Sequence, residues 1–350
     1  MTLKSQQLEK DKTSSSVETA ACPCPESLST HEQGQTAVPT DSQISTSERA
    51  STPNPFLEQL LQHGLLIPSP TTGLYGRSGT FEDIVTRLEN LITANYRTNS
   101  TEIMRFPPVI SNRTTEQSGY MKSFPQLLGV VHSFTGDHHQ HRQLLQEMED
   151  RHDWTHHLSS TDIVLTPAAC YPVYEAVAGT LPEGGRLIDV SSYCFRHEPS
   201  TDPARMQSFR MREFVRIADP PTVQDWHSQW LTQAQAFLCS IGLSPVLAPA
   251  NDPFFGPGGR LLAASQQEQN LKYELLVPVG SENPTTAIIS INYHQDHFGH
   301  DFQIFTTNGS VAHTACIGFG LERITLALFR AHGFDMAAWP AEVRGKLWPQ

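Results

Sequence analysis

The hydrophobic pattern divides the chain near position 56. Residues 1–55 contain no aromatic side chain and few aliphatic ones, and are rich in Ser, Thr, Gln and Pro. Such a stretch cannot bury enough apolar surface to offset its ordering entropy, so a disordered tail is expected. Phe56 opens FLEQLLQHGLLIP, which reads as a short amphipathic helix stopped by Pro68. After Gly73 and Gly76, Thr80 is placed to cap a second helix with Asp83 three residues on. Phe81, Ile84, Val85, Leu88, Leu91 and Ile92 then recur at helical spacing up to about residue 96. Residues 122–160 are rich in His, Gln and Glu, with apolar positions at Leu127, Leu128, Leu144, Leu145 and Met148, and read as a mostly helical insertion.

From 185 the pattern turns to strands, GRLIDVSSYCF and then MREFVRI. A helix over 222–241 carries Trp226, Trp230, Phe237, Leu238 and Ile241 on its apolar side, with Gly242 as its stop. LKYELLVPV and TTAIISINYH supply two more strands, and Leu321, Ile324, Leu328 and Phe329 mark the apolar face of a late helix. Strands without regular βαβ alternation, flanked by helices, indicate an α+β fold with a mainly antiparallel sheet.

Composition changes this picture modestly. At 350 residues the chain has ample core for one large domain or two smaller ones. Lys and Arg number 24 against 36 Asp and Glu, a formal charge of −12, which argues against clamping a long nucleic acid. The opening residues lack a signal peptide's apolar stretch, and no run approaches the ~20 apolar residues of a membrane span. Six scattered cysteines fit a reduced compartment, so a cytoplasmic location without membrane attachment is expected. Cys22 and Cys24 lie in the polar tail with no His or further Cys beside them and are read as incidental. The histidines at 138, 139, 141, 152, 156 and 157 lack metal-ligand spacing and are read as a solvated polar face.

Candidate chemistry concentrates in two segments. In CFRHEPSTDPARMQSFRMREF, residues 194–214, Arg196 and Glu198 stand at i and i+2 and so share a strand face. Arg205 falls on the loop, and Arg210, Arg212 and Phe214 alternate on the return strand. Guanidiniums hold phosphates bidentately and an aromatic ring offers a surface for a base, although taken alone the segment reads equally as an ion-paired surface hairpin. In HTACIGFGLERITLALF, residues 313–329, Gly318 and Gly320 lead into a helix with Arg323 in its first turn, an entry suited to a phosphate or a nucleobase. HQDHFGH places His294, His297 and His300 around Asp296. Its spacing is not that of a helical metal motif, so these are read as polar residues of a pocket or its edge. By themselves Cys170 and Cys316 read as buried core thiols.

Together the two segments resemble motifs 2 and 3 of the class II aminoacyl-tRNA synthetases, and the helix near 81–96 followed by MRFPPVI at 104–110 resembles motif 1. The resemblance covers residues 56–350 as a single catalytic domain. Within that class the chain is most similar to the seryl-tRNA synthetases of methanogenic archaea and their truncated bacterial relatives, the amino acid:carrier-protein ligases. The resemblance implies one zinc ion per subunit held by Cys170, Glu213 and Cys316, which takes the amino group of the substrate amino acid, with Glu213 also among the substrate residues. It implies ATP with magnesium, bound by Arg196, Glu198, Arg205, Met206, Phe214, Ser290, Asn292 and Arg323. Within that set Arg196 takes the α-phosphate, Glu198 the adenine amino group and Arg205 the γ-phosphate, while Phe214 and Arg323 sandwich the adenine. Arg196, Glu198 and Arg323 are the catalytic set, and Lys272 and Glu274 reach toward the amino acid. The activity implied is activation of glycine or alanine to an aminoacyl-adenylate, then transfer to the phosphopantetheine thiol of a holo carrier protein. A homodimer formed through motif 1 is expected. No tRNA partner is expected, since no arm or anticodon domain is evident. The 122–160 insertion or WPAEVRGKLW near the C-terminus is a candidate docking surface. A compact tRNA-charging enzyme and a catalytically silent paralogue acting as a regulatory subunit are the alternatives.

Overall fold

The computed structural model describes residues 54–256, 258–280 and 285–349, so the expected tail lies outside it up to residue 53. The described chain begins with Asn54, whose Oδ1 accepts a hydrogen bond from Phe56 N at 3.0 Å and caps helix α1, Pro55–Gln62. This helix ends well before Pro68, because Gly64 takes a left-handed φ of 63° and turns the chain. Leu66–Pro68 is instead a short strand paired with Tyr75–Arg77. Helix α2, Gly79–Tyr96, is capped by Ser78 rather than Thr80, with Ser78 Oγ accepting from Phe81 N at 3.3 Å. It buries the expected Phe81, Ile84, Val85, Leu88 and Ile92.

The centre is a seven-stranded sheet. In chain order its strands are β1 Glu102–Arg105, β2 Arg186–Phe195, β3 Ser208–Ala218, β4 Val246–Pro249, β5 Lys272–Val277, β6 Thr286–Gln295 and β7 His313–Gly320. In space the order is β4-β5-β6-β7-β3-β2-β1. Every neighbouring pair is antiparallel except the parallel edge pair of β2 and β1. The α+β expectation holds. Helices α2, α3 (Pro220–Ser240) and α4 (Leu321–His332) supply the main core against one face, where Phe214, Ile289, Ile291, Ile317 and Phe319 are buried with them. The α4 face of Leu321, Ile324, Leu328 and Phe329 is buried as its spacing requires.

Alternation along β3 separates its side chains into two sets with different work. Arg210, Arg212 and Phe214 lie on the helix-packed face. Arg212 pairs with Asp189 at 2.6 Å with both side chains essentially buried, and Arg97 reaches the same carboxylate at 2.6 Å. Arg210 bridges Glu82 at 2.6 Å and Glu322 at 2.7 Å. These two arginines tie α2 and α4 to the sheet. Phe209, Met211 and Glu213 face the other way, into an open cavity.

The 122–160 region is less helical than expected. Its one long helix, His138–Glu149, lies between the strands Val130–Phe134 and Leu158–Leu165; Leu158–Leu165 pairs with both Val130–Phe134 and Val109–Ser111 in a separate three-stranded sheet. Its strands are mostly half-exposed and lack clean apolar alternation, which hid them in the sequence. Among the described residues no helix is long and apolar enough to cross a membrane.

Candidate active site

The sheet face opposite the helices forms the floor of a cavity of about 550 Å³. Period-two side-chain placement aims Glu213 of β3, Cys316 and Gly318 of β7, Ser290 and Asn292 of β6, and Lys272 and Glu274 of β5 into it. Register sets their proximity, since Gly318 pairs with Glu213 and Cys316 pairs with Asn292. A Cβ at Gly318 would lie 3.4 Å from Ser290 Oγ and 3.6 Å from Glu213 Cγ, so glycine keeps this part of the floor clear.

Cys170 enters from the residue preceding the short helix Tyr171–Ala176 and completes a buried cluster with Glu213 and Cys316. The two sulfurs and a carboxylate oxygen lie within 4.8 Å of one another. Glu213 Oε1 also accepts from Ala169 N at 2.8 Å, which fixes the carboxylate against the Cys170 segment. Asn292 Nδ2 donates toward Cys316 Sγ at 3.5 Å, and His294 Nε2 lies 3.7 Å from the same sulfur.

None of these groups carries charge easily by itself. The Cys170 thiol is held well above its ordinary value by its hydrogen bond with Cys316, by burial and by the Glu213 charge. Cys316 is also raised: its bond with Cys170 pulls it down, but burial and Glu213 outweigh that. Burial raises Glu213, and burial lowers His294 to about 3, leaving that ring neutral. Two thiols and a carboxylate that resist ionisation together are the donor set whose ionisation a soft dication makes favourable.

Across the cavity lies a cationic wall. Arg196 Nε donates to Pro167 O at 3.1 Å, and its guanidinium carbon sits 5.7 Å from the centre of the Phe209 ring. Arg323 donates to Ala204 O at 2.8 Å and Ala287 O at 2.9 Å, so its guanidinium is fixed by backbone. Burial, and then repulsion from Arg196, makes Arg323 a less comfortable cation than usual. Two fixed guanidiniums in repulsion beside an open space favour an anion between them. Met206 borders a small adjoining hollow with Phe209, Gly320 and Arg323.

The third wall is polar. Lys272 Nζ pairs with Asp252 at 2.6 Å and Glu274 at 3.1 Å, and Gln266 Nε2 donates to the other Asp252 oxygen at 2.8 Å. Although burial opposes it, the Lys272 charge lowers Asp252, so the pair is ionised. The Tyr120 hydroxyl is buried in the cavity wall and has no hydrogen-bond partner among the described residues. Burial first, and Glu198 and Asp252 against the opposing pull of Arg196, push it up to about 12.

Of the residues singled out from sequence, Cys170, Arg196, Glu213, Lys272, Glu274, Ser290, Asn292, Cys316 and Arg323 share this cavity. Arg196 and Glu198 follow the end of β2 rather than lying on it, and Glu198 pairs with Arg205 at 3.6 Å on the loop outside the cavity walls. Phe214 is misassigned. It is buried on the opposite face, its ring stacked on Trp230 at 5.9 Å, and Phe209 occupies the cavity position expected of it. His294 and His297 line the cavity as anticipated, whereas His300 is largely exposed on the short helix beyond. Tyr120, Asp252 and Phe209 were not anticipated. Only Phe209 had a usable signal, its even spacing from Glu213.

No family model matches the sequence. Two curated proteins of Bradyrhizobium diazoefficiens are similar over most of their length. Amino acid–acyl-carrier-protein ligase 1 is 48% identical over 277 residues, covering 79% of this chain and 85% of the relative. Ligase 2 is 46% identical over 277 residues, covering 79% and 83%. Among solved structures, the M. kandleri seryl-tRNA synthetase in complex with A. aeolicus tRNASec superposes with a TM-score of 0.72 at 21% identity, covering 87% of this chain and 62% of that one. That likeness shows the fold, a class II aminoacyl-tRNA synthetase catalytic sheet. Identity near one half across most of both ligases, on this fold, makes the chain a member of the amino acid–acyl-carrier-protein ligase family.

Proposed function

We propose that this ligase activates a small amino acid, glycine or alanine, with ATP and passes the aminoacyl group to the phosphopantetheine thiol of a holo carrier protein. The observation that carries the reading is the union in one cavity of the Cys170, Glu213, Cys316 cluster with the Arg196 and Arg323 wall. A metal beside an anion cradle suits a substrate that has an amine at one end and a carboxylate to be adenylylated at the other.

In the first step a carboxylate oxygen attacks the α-phosphorus and the bond to pyrophosphate breaks, giving aminoacyl-adenylate. Arg196 stabilises the charge that grows on the α-phosphoryl oxygens, and Arg323 holds the nucleotide from the other side. Phe209 offers the flat apolar surface for adenine. Ser290 and Asn292 supply neutral hydrogen-bonding groups, and Lys272 balances the charge of the Asp252 wall. Magnesium accompanies the ATP phosphates. Catalysis here is positioning and fixed electrostatics, and no general base is required. In the second step the thiol sulfur attacks the adenylate carbonyl and AMP leaves.

Cys170, Glu213 and Cys316 fit a zinc ion by donor type, proximity and burial, with the cavity leaving one side open. When bound there, zinc supplies a Lewis-acidic position for a free amine. A homodimer in the cytoplasm completes the proposal, and solution size measurement tests the assembly.

The test is ATP–pyrophosphate exchange across all twenty amino acids, followed by mass spectrometry of a holo carrier protein. Exchange with glycine or alanine and a thioester-linked mass gain on the carrier are expected. Robust charging of tRNA with no carrier loading would overturn the reading in favour of a compact synthetase.

A further inference from the structure

The structure assembles a second ligand-type cluster, whose residues do not line the cavity, in the 122–160 insertion. The helix His138–Glu149 is well made locally: Asp137 caps it, and Gln140 reaches back to complete a capping box. Yet none of its residues is buried, so packing gives it little attachment to the domain. Its last residues meet the turn Thr155–His157, where Glu147, His156 and His157 bring ligand atoms within 4.8 Å of one another.

The hydrogen bonds around this cluster fix its chemistry. His156 Nδ1 lies 3.0 Å from Asp153 O. A carbonyl only accepts, so Nδ1 carries the proton, and in the neutral ring the Nε2 lone pair is left unprotonated. That Nε2 lies 3.5 Å from Glu147 Oε2, while His157 Nε2 lies 2.9 Å from the same oxygen. The two rings sit 4.2 Å apart, centre to centre. A lone pair facing a carboxylate is unfavourable unless a positive charge lies between them. A backbone carbonyl orienting the far nitrogen is also how metal-binding histidines are held.

We propose that Glu147, His156 and His157 form a site for a first-row divalent cation of the zinc type. It would clip the C-terminal end of the His138–Glu149 helix to the following turn. Two imidazoles with one carboxylate select such a cation over calcium or magnesium, which prefer oxygen donors. The His156 side chain is 59% exposed, so water completes the coordination and the cation enters from solvent.

The experiment uses the full chain stripped of metal and carrying Cys170→Ala, which disables the cavity cluster, with zinc as the probe. Calorimetric titration should show zinc binding that His156→Ala or Glu147→Gln weakens by more than the roughly 10–100-fold cost of losing an outer-shell partner. Zinc should also slow hydrogen exchange across 138–157 in that parent and not in the His156→Ala variant. Because His156 is exposed, its replacement should leave the fold intact, and in the otherwise unaltered chain it should leave ATP–pyrophosphate exchange unchanged. Zinc affinity and exchange protection indifferent to both substitutions would overturn the proposal and leave an imidazole–carboxylate ion pair only.

Discussion

Glu213 and Phe214 are consecutive residues of β3 whose side chains belong to opposite sides of the molecule. Glu213 Oε1 accepts from Ala169 N at 2.8 Å on the cavity face, while the Phe214 ring stacks on Trp230 at 5.9 Å in the core. No strand can aim both at one pocket. The aromatic surface beside Arg196 therefore comes from Phe209, four residues before Glu213 and on the same face.

The two phenylalanines should separate cleanly on mutation. Phe214→Ala empties a fully buried core position and should cost about 3–5 kcal/mol of stability. Phe209→Ala should leave stability nearly unchanged but weaken ATP binding by about 1–3 kcal/mol, roughly 5- to 150-fold, the scale of a lost base-stacking surface. Denaturant unfolding and nucleotide titration of both variants measure this. The reverse assignment of the two losses would return the adenine contact to Phe214.

Asp189 gives the fold a specific acid sensitivity. Burial alone would raise this carboxyl, but hydrogen bonds and charge from Arg212, Arg97 and Arg105 hold it below its ordinary range. The unfolded chain then binds this proton more readily, so the contribution to stability is complete above the unfolded value near ~3.9 and is lost as pH falls through the lower folded value. Asp189→Asn should remove that part of the acid limb. It should also cost about 3–5 kcal/mol at neutral pH, because it leaves buried Arg212 without its counter-charge. Urea unfolding as a function of pH checks both effects.

Those arginines mark the limit of what residue type discloses. A run of guanidiniums gave no indication that Arg196 would face a cavity while Arg210 and Arg212 tie helices to the sheet. Strand parity, applied from Glu213, would have sorted Arg210, Arg212, Phe209 and Phe214 correctly. The long helices were legible because their apolar faces repeat over several turns, as in α2 and α4. The small insertion sheet was not, because half-exposed strands do not alternate. The union of Cys170, Glu213 and Cys316 had no local signal either and was reached through family resemblance. Asp252 sits outside the regular elements, and only tertiary contact with Lys272 reveals it.

Tyr120 should show a split between stability and function. Its hydroxyl is buried without a partner among the described residues, an arrangement that costs about 1–3 kcal/mol. Tyr120→Phe should therefore leave the free enzyme equally or more stable. If the hydroxyl meets the bound amino acid or its adenylate, the same change should raise KM or lower kcat by roughly 10- to 150-fold, the value of one hydrogen bond to a charged group. Thermal melting and exchange kinetics on the variant measure the two sides. A gain in stability with kinetics untouched would make the hydroxyl a bystander.

The zinc assignment is tested most sharply where the insertion site cannot contribute. In a His156→Ala background the chain should hold one zinc per subunit at the cavity cluster. Cys170→Ala or Glu213→Ala should abolish it, because two donors cannot hold the ion against water when the third position is gone. His297→Ala should retain it, since that ring lies at the exposed edge of the cavity. Amino-acid-dependent exchange should fall by about 100-fold or more in the two zinc-free variants, the scale of losing a preorganised electrostatic group. Elemental analysis with exchange assays decides the matter: full zinc retention in both variants would return Cys170 and Cys316 to the role of buried core thiols.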